Sequence, residues 1–256
     1  MQFYQAPTIS IKNLHFAYDK KTLFKDLNLT LPAGKWLGLL GVSGVGKSSL
    51  LRLIAGINPP QENYSGNISS DNAVPLHQQI AYMAQTDLLL PWLNVLANAL
   101  LGVKLRGQTS HFSALETRAK SLLTQVGLVE AMHLYPHQLS GGMRQRVALV
   151  RTLLEDKPVI LMDEPFSALD TITRYNLQTL AAELLKNRTV LFVTHDPLEA
   201  LRLADEIYLL AGSPAILQKF ADLTSQTPRD LASPEIIHLE AKLFAELAKA
   251  AGGKHG

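Results

Sequence analysis

Eight consecutive residues constrain this chain more than any others: Gly41-Val42-Ser43-Gly44-Val45-Gly46-Lys47-Ser48. They fit G-x-x-x-x-G-K-S/T, the loop that wraps the phosphates of a nucleotide. The flanks matter as much as the match. Trp36-Leu37-Gly38-Leu39-Leu40 is a short apolar run that reads as a buried strand, and Ser49 to Ala55 carries a helical pattern closed by Gly56. Glycines let successive backbone N–H groups turn inward on an anion, and the first helical turn adds the positive end of its dipole. Lys47 then reaches the β- and γ-phosphates and the Ser48 hydroxyl ligates Mg²⁺. Gly41, Val42, Ser43, Gly44, Val45, Gly46, Lys47, Ser48 and Ser49 are therefore the nucleotide-binding candidates. A glycine-rich turn that simply starts a helix is the blander alternative, and it leaves the flanks unexplained.

Composition narrows the classes. Of 256 residues, 47% are hydrophobic and 18% charged, which suits a globular chain with a substantial core. A net charge of +2 gives no argument for nucleic acid or an anionic membrane as a partner. The absence of cysteine excludes disulfides and thiolate metal sites and fits a reducing compartment. Met1 to Pro7 lacks the basic flank and apolar run of a secretory signal. The longest uncharged stretch, Leu88 to Val103, is interrupted by Pro91, Asn94 and Asn98 and falls short of the ~20 residues that a spanning helix needs. The expectation is a cytoplasmic polypeptide that does not cross a membrane.

Along the chain, Ile9, Ile11, Leu14, Phe16 and then Leu27, Leu29, Leu31 follow period two with one slip, as antiparallel strands with a bulge do. Asn58 to Gly66 reads as a loop by composition, and Gln79 to Ala84 as a short strand. From about Pro91 to Arg151 the pattern is helical. An α/β rhythm resumes with the strand Val159–Met162, a helix from about Thr171 to Leu185, and the strands Thr189–Val193 and Ile207–Leu210. The fold expected is α/β, with an N-terminal antiparallel β part and a helical lobe inserted at about residues 90–151. One domain over residues 7–219 is followed by a tail, 220–256, ending in an amphipathic helix from about Glu235 to Ala248.

Two further segments carry chemistry. Val159-Ile160-Leu161-Met162-Asp163-Glu164 is an apolar strand ending in two carboxylates. Beside the phosphate-loop strand, its C-terminal end faces the same crevice, where Asp163 can hold the Mg²⁺ shell and Glu164 can take a proton from attacking water. A strand that merely ends in solvated acids is the alternative. Leu139-Ser140-Gly141-Gly142-Met143-Arg144-Gln145-Arg146 opens another helix, and Ser140 with two glycines makes a second anion-binding helix end. Taken alone, it is an ordinary N-cap.

Leu-Ser-Gly-Gly-x-x-Gln-Arg, about twenty residues before a strand ending Asp-Glu, resembles the signature of the ATP-binding cassette (ABC) ATPases. The rest of that family's pattern follows in order over nearly the whole chain. By resemblance Tyr18 stacks on adenine, Gln85 senses Mg²⁺ and the γ-phosphate, and Ser167-Ala168-Leu169-Asp170 crosses to a partner subunit. His195 contacts the γ-phosphate. Singly these residues have bland readings: Tyr18 as a core aromatic, Gln85 as a surface residue, His195-Asp196 as a helix cap. Met143 stands where many relatives have Gln.

The resemblance implies an ATPase using ATP and Mg²⁺, with Glu164 and His195 catalytic and Ser48, Gln85 and Asp163 at the metal. It implies a head-to-tail homodimer in which Ser140, Gly141 and Gly142 of one copy close on the nucleotide held by the other, with Asp170 at the contact. Separate permease subunits, and indirectly an extracytoplasmic solute-binding protein, would be its partners on the cytoplasmic face of the cell membrane. Leu88 to Asn98 lies where family members receive the permease, as an exposed apolar patch or as the buried face of the lobe's first helix. Leu-Leu-Pro-Trp (Leu89–Trp92) and the tail's Thr227-Pro228-Arg229-Asp230 are similar to importers of nitrate, taurine, alkanesulfonates and thiamine-pyrimidine precursors. Maltose-type importers carry a further regulatory domain, and at this length none is expected here. An exporter ATPase and a soluble non-transport ABC protein remain alternatives.

Overall fold

The computed structural model describes residues 5–18, 21–57, 63–107 and 112–252. Its frame is one nine-stranded sheet of two characters. The strands β1 (Ile9–Tyr18) and β2 (Lys21–Leu31) pair antiparallel. The parallel part is β3 (Trp36–Gly41), β5 (Ile80–Met83), β6 (Val159–Asp163), β7 (Thr189–Val193) and β8 (Glu206–Gly212). Between these parts stands β9 (Ala215–Asp222), antiparallel to β8 and touching β2 at Phe24, while β4 (Asn63–Ser70) covers the far side of β1. The order is β4-β1-β2-β9-β8-β3-β7-β6-β5.

Strands covered on both faces need no polar side, and β3, β6 and β7 are buried at every position. In β1 the register slips between Ile11 and Leu14, where Asn13 takes a φ of 51° and donates its N–H to Asn28 Oδ1 at 2.9 Å. This is the expected bulge.

The helices are α1 (Lys47–Ala55), the single turn α2 (Leu76–Gln79), α3 (Val95–Ala99), α4 (Leu101–Leu105), α5 (Phe112–Gln125), α6 (Gly141–Leu154), α7 (Thr171–Leu184), α8 (Pro197–Leu203) and α9 (Pro234–Gly252). Four of them, α3 to α6, lie between β5 and β6, which is the helical insertion read from periodicity.

Period-two alternation in the parallel strands divides the core. Trp36, Leu40, Ile160, Met162, Val190 and Phe192 face the cluster that includes α6 and α8. Leu37, Leu39, Val159, Leu161, Leu191 and Val193 face α1 and the inner residues of β1 and β2. So α1 is packed between the parallel strands and the β1–β2 ribbon, and the loop that feeds it is held from both sides.

Two expectations need correction. Of the Asn58–Gly66 loop, residues 58–62 lie outside the described residues, but Asn63 to Gly66 begin β4. A polar edge strand needs only backbone pairing, here with β1 from Ala17 back to Ile9, so composition misleads. The strand β9 was not anticipated, and the boundary drawn at residue 219 falls inside it: pairing with β8 continues to Asp222.

After β9 the chain returns to the core. Arg229 is 4% exposed, and its guanidinium donates to Leu201 O, Ala204 O and Leu223 O. The helix α9 packs on α8 and β8 through buried Ile236 and Leu243. Leu243→Ala should therefore cost about 2–5 kcal/mol. Urea unfolding checks it; a change below about 1 kcal/mol would mean that α9 is not docked as described.

Candidate functional site

The site begins where β3 ends. A Cβ on Gly41 would lie 2.3 Å from Leu210 O of β8, so the close approach of that strand admits only glycine. Gly46 caps α1, and no side chain caps the helix's first turn, which leaves its N–H groups directed at the cleft. Lys47 is 7% exposed, and its ammonium donates to Gly41 O at 2.7 Å and Val42 O at 3.2 Å. Asp163, at the end of β6, is buried beside the Ser48 hydroxyl. Glu164 follows with a φ of 50°, its N–H bound to Val193 O at 2.9 Å. This left-handed turn separates the two adjacent carboxylates. His195 Nδ1 sits 3.3 Å from Glu164 Oε2.

A cleft of about 410 Å³ is lined by Tyr18, Lys21, Leu23, Ser43, Gly44, Gly46, Lys47, Ser48, Ser49, Gln85 and Glu164. Gly41 and Val45 are buried behind it. Tyr18 is not a core aromatic: it is exposed and borders the cleft, with its ring edge-on to Phe16 at 4.9 Å. Lys21 adds a cation beside the phosphate loop that the motif pattern did not single out.

The charges are poised for ligands. Burial pushes the Lys47 ammonium below its usual range, with Glu164 and Asp163 opposing. Among the described residues, no carboxylate comes within ion-pair distance of it. Burial likewise pushes Asp163 up, against the neighbouring Ser48 hydroxyl. Asp163 Oδ1 is buried without any hydrogen-bond partner. An unsatisfied carboxylate oxygen beside a serine hydroxyl is a donor set that fits a hard divalent cation, and an unpaired ammonium nearby fits a polyanion.

The second glycine tip lies elsewhere. Ser140 caps α6, accepting from Met143 N at 3.2 Å, and Ser140 and Gly141 are exposed. Gly142 is tightly packed: a Cβ there would meet Ala168 O at 3.0 Å. None of the three lines the cleft. Asp170, also exposed, caps α7 by accepting from Thr173 N, and this hydrogen bonding holds its carboxyl below the usual range.

Sequence reasoning gave no role to the residues that hold these loops. Gln145 Nε2 donates to Glu164 O at 2.8 Å while its Oε1 accepts from Ala168 N at 2.9 Å, clamping both ends of the turn after Glu164. Arg144 pairs with Asp87 at 3.0 Å, and Arg151 donates to the Asp87 and Leu88 carbonyls, so the loop after Gln85 is tied to α6. Asn98, fully buried, bonds the backbone of Leu90, Leu93 and Asn94. It braces a loop whose Leu88 and Trp92 are 61% and 69% exposed, while Leu89 and Leu96 pack on the core. Gln145 and Arg144 belong to the signature run, so that run was the available signal.

The profile of the ABC transporter family matches residues 24–167, more than half of the chain. The chain belongs to the ABC transporter family. It is an ATP-binding subunit, of a family that hydrolyses ATP for transport. An ABC transporter ATP-binding protein of Haemophilus influenzae is 44% identical over 243 residues, 93% of this chain and 98% of the relative. An aliphatic sulfonates import ATP-binding protein of Rhodococcus jostii is 45% identical over 195 residues, 75% of each chain. A solved dimer of an ATP-binding cassette in a post-hydrolysis state, bound to ADP and Pi, matches with TM-score 0.74 at 28% identity, over 85% of this chain and 100% of that one.

Below the histidine of this cassette lies Glu199, 4% exposed, with Oε1 unpaired. Burial first, and Asp196 second, push its carboxyl up to about 8, against Arg174 and a Thr194 hydroxyl bond. A raised carboxyl binds its proton more tightly folded than unfolded, so stability from this group is complete below pH ~4.5 and is lost as pH rises toward 8. Urea unfolding at pH 5, 6.5 and 8 should show this decline in the wild type and a flatter profile in Glu199→Gln. Identical slopes would contradict a protonated Glu199.

Proposed function

We propose that this cassette powers import of a small solute, of the sulfonate, nitrate, taurine or thiamine-precursor class, through separate permease subunits. A head-to-tail pair of copies closes around ATP and opens after hydrolysis. Behind this stands the division of the site: the cleft gathers the phosphate loop, Tyr18, Gln85 and Glu164, while the glycine tip Ser140–Gly142 lies outside it with Ser140 and Gly141 exposed. One copy thus offers half a cradle, and a second copy can supply the other half. The import relatives support the direction of transport.

In this reading Tyr18 stacks on the adenine. Lys47 exchanges the carbonyls of Gly41 and Val42 for the β- and γ-phosphates, regaining a counter-charge in a buried place. Ser48, Asp163 and Gln85 would hold Mg²⁺, which would neutralise phosphate charge. Glu164 takes the proton from the attacking water as its oxygen bonds to the γ-phosphorus and the bond to the ADP oxygen breaks. His195, 3.3 Å from Glu164, donates to the γ-phosphate. Ser140, Gly141 and Gly142 of the partner copy close on that phosphate from the opposite side, with Asp170 at the seam. Splitting the phosphate removes the shared ligand, and the pair opens.

Among the described residues no helix is long and apolar enough to cross a membrane, so the permease is a separate partner in this reading. The cassette sits peripherally on the cytoplasmic face, and a solute-binding protein acts on the permease from the other side. Leu88 and Trp92, exposed on a braced loop next to Gln85, are the docking surface.

Glu164→Gln is expected to bind ATP normally, lose at least about 10²-fold in kcat and accumulate as a dimer with ATP and Mg²⁺ on size exclusion. A monomer with near wild-type turnover would refute the role. Tagged wild type should retrieve an integral membrane permease from native membranes and Trp92→Asp should not; equal recovery by both would remove this loop from the interface.

A further inference from the structure

We propose that Arg174 is a positioning residue that joins the segment entering α7 to the histidine loop entering α8. This rests on the proposed function of Asp170 as a partner contact and of His195 as a catalytic group. The guanidinium stands one turn into α7. Its Nη2 donates to Leu169 O at 3.0 Å, and its Nη1 donates to Asp196 Oδ2 at 3.1 Å. Leu169 lies within the segment that meets the partner copy, and Asp196 is the next residue after His195. Asp196 is itself fixed to its loop: Oδ1 accepts from Leu198 N, and its N–H donates to Thr194 Oγ1, both at 3.0 Å. Among the described residues, no other side chain donates to the Asp196 carboxylate.

A guanidinium is a rigid planar fork, so two acceptors bound to different arms are held at one separation. Movement of Leu169 is therefore transmitted to Asp196, and through it to the pairing of His195 with Glu164. The strand end cannot supply this control. Thr194 N is anchored to Leu39 O at 3.2 Å, but His195 beyond it is exposed. The consequence is a histidine whose alignment depends on how the partner presses on residues 168–170.

A plain helix-to-helix staple is the competing role, and Arg202 already fills it. Arg202 is 2% exposed, donates to Tyr175 O, Gln178 Oε1 and Thr179 Oγ1 of α7, and stacks on the Tyr175 ring at 3.7 Å. The Arg174–Asp196 pair is only partly buried, at 31% and 25% side-chain exposure. Packing of α8 on α7 therefore does not depend on Arg174, and loss of its fork should be read in turnover and not in melting temperature.

The test is steady-state ATPase activity, ATP affinity by calorimetry and Tm for Arg174→Lys, Arg174→Met and Asp196→Asn, each with and without His195→Ala. Asn caps a helix as well as Asp does, so Asp196→Asn removes the ion pair and keeps the cap. Arg174→Lys keeps the charge and loses the fork. Each single variant is expected to lower kcat about tenfold with ATP affinity changed less than about twofold, and with Tm nearly unchanged. Arg174→Lys with Asp196→Asn should fall no further than either alone, and in the His195→Ala background each variant should change kcat by less than about twofold. If Arg174→Met does not fold, the other two variants decide. Unchanged kcat in Arg174→Lys and Asp196→Asn, or full multiplicative losses on top of His195→Ala, would overturn the proposal. Wild-type specific activity against protein concentration reads the dimer separately. No concentration dependence refutes the dimer reading and the strut with it, whereas a concentration-dependent wild type with an unaffected Arg174→Lys refutes the strut alone.

Discussion

A buried lysine ammonium and a buried carboxylate stand at the C-terminal edge of the parallel strands, and the rest of the molecule is organised around keeping them there without pairing them. Lys47 bonds to carbonyls of its own loop, and Asp163 leaves one oxygen without a partner. Both groups are pushed toward neutrality by burial. That arrangement costs stability in the free chain and favours a ligand carrying both signs. It persists because two cores grip the loop: α1 is wedged between the parallel strands and the β1–β2 ribbon, and Leu210 of β8 presses on Gly41 so closely that no side chain fits.

The same economy of parts governs the loops around the cleft. Each is short, and each is held by a side chain of α6 or α7. Gln145 of α6 spans the turn after Glu164, Arg144 and Arg151 of α6 hold the loop after Gln85, and Arg174 of α7 holds Asp196 beside the histidine. The helix carrying the Ser140–Gly142 tip is thereby also the helix that fixes the turn after Glu164 and the Gln85 loop. In a paired arrangement, force on that tip reaches Glu164 and Gln85 through one rigid element. The neighbouring loop, with Leu88 and Trp92 exposed, is tied to the same helix; in the proposed reading, a permease seated there would have a direct mechanical route to the nucleotide.

Much of this was legible because it depends on local pattern. Strands buried on both faces read as unbroken apolar runs, as Val159–Met162 and Thr189–Val193 do. The glycine loop stood out because a strand and a helix flank it, and the bulge in β1 showed itself as a slip in period two. What escaped was non-local. The strand β4 is polar, and only its neighbour β1 makes it a strand; β9 mixes Lys219 and Gln218 with Ile216 and is defined by pairing with β8. The bracing roles were invisible for a related reason: Arg151 and Arg174 look like ordinary helix surface residues, and Gln145 stood only as a member of the signature run, until the loops they hold arrive from distant parts of the chain. Arg229 was quoted only as part of a tail motif, although its guanidinium joins the tail to the end of α8.

The central claim is that one nucleotide is held between two copies of the chain, by the phosphate loop of one and the Ser140–Gly142 tip of the other. The chain has no cysteine, so introduced thiols are unique. In a Glu164→Gln background, chains carrying only Ser43→Cys are mixed with chains carrying only Ser140→Cys under mild oxidation, with and without ATP and Mg²⁺. A covalent heterodimer that forms from the mixture and only with nucleotide is the result expected. No heterodimer at saturating ATP, while each chain binds nucleotide fully as a monomer, would contradict the account.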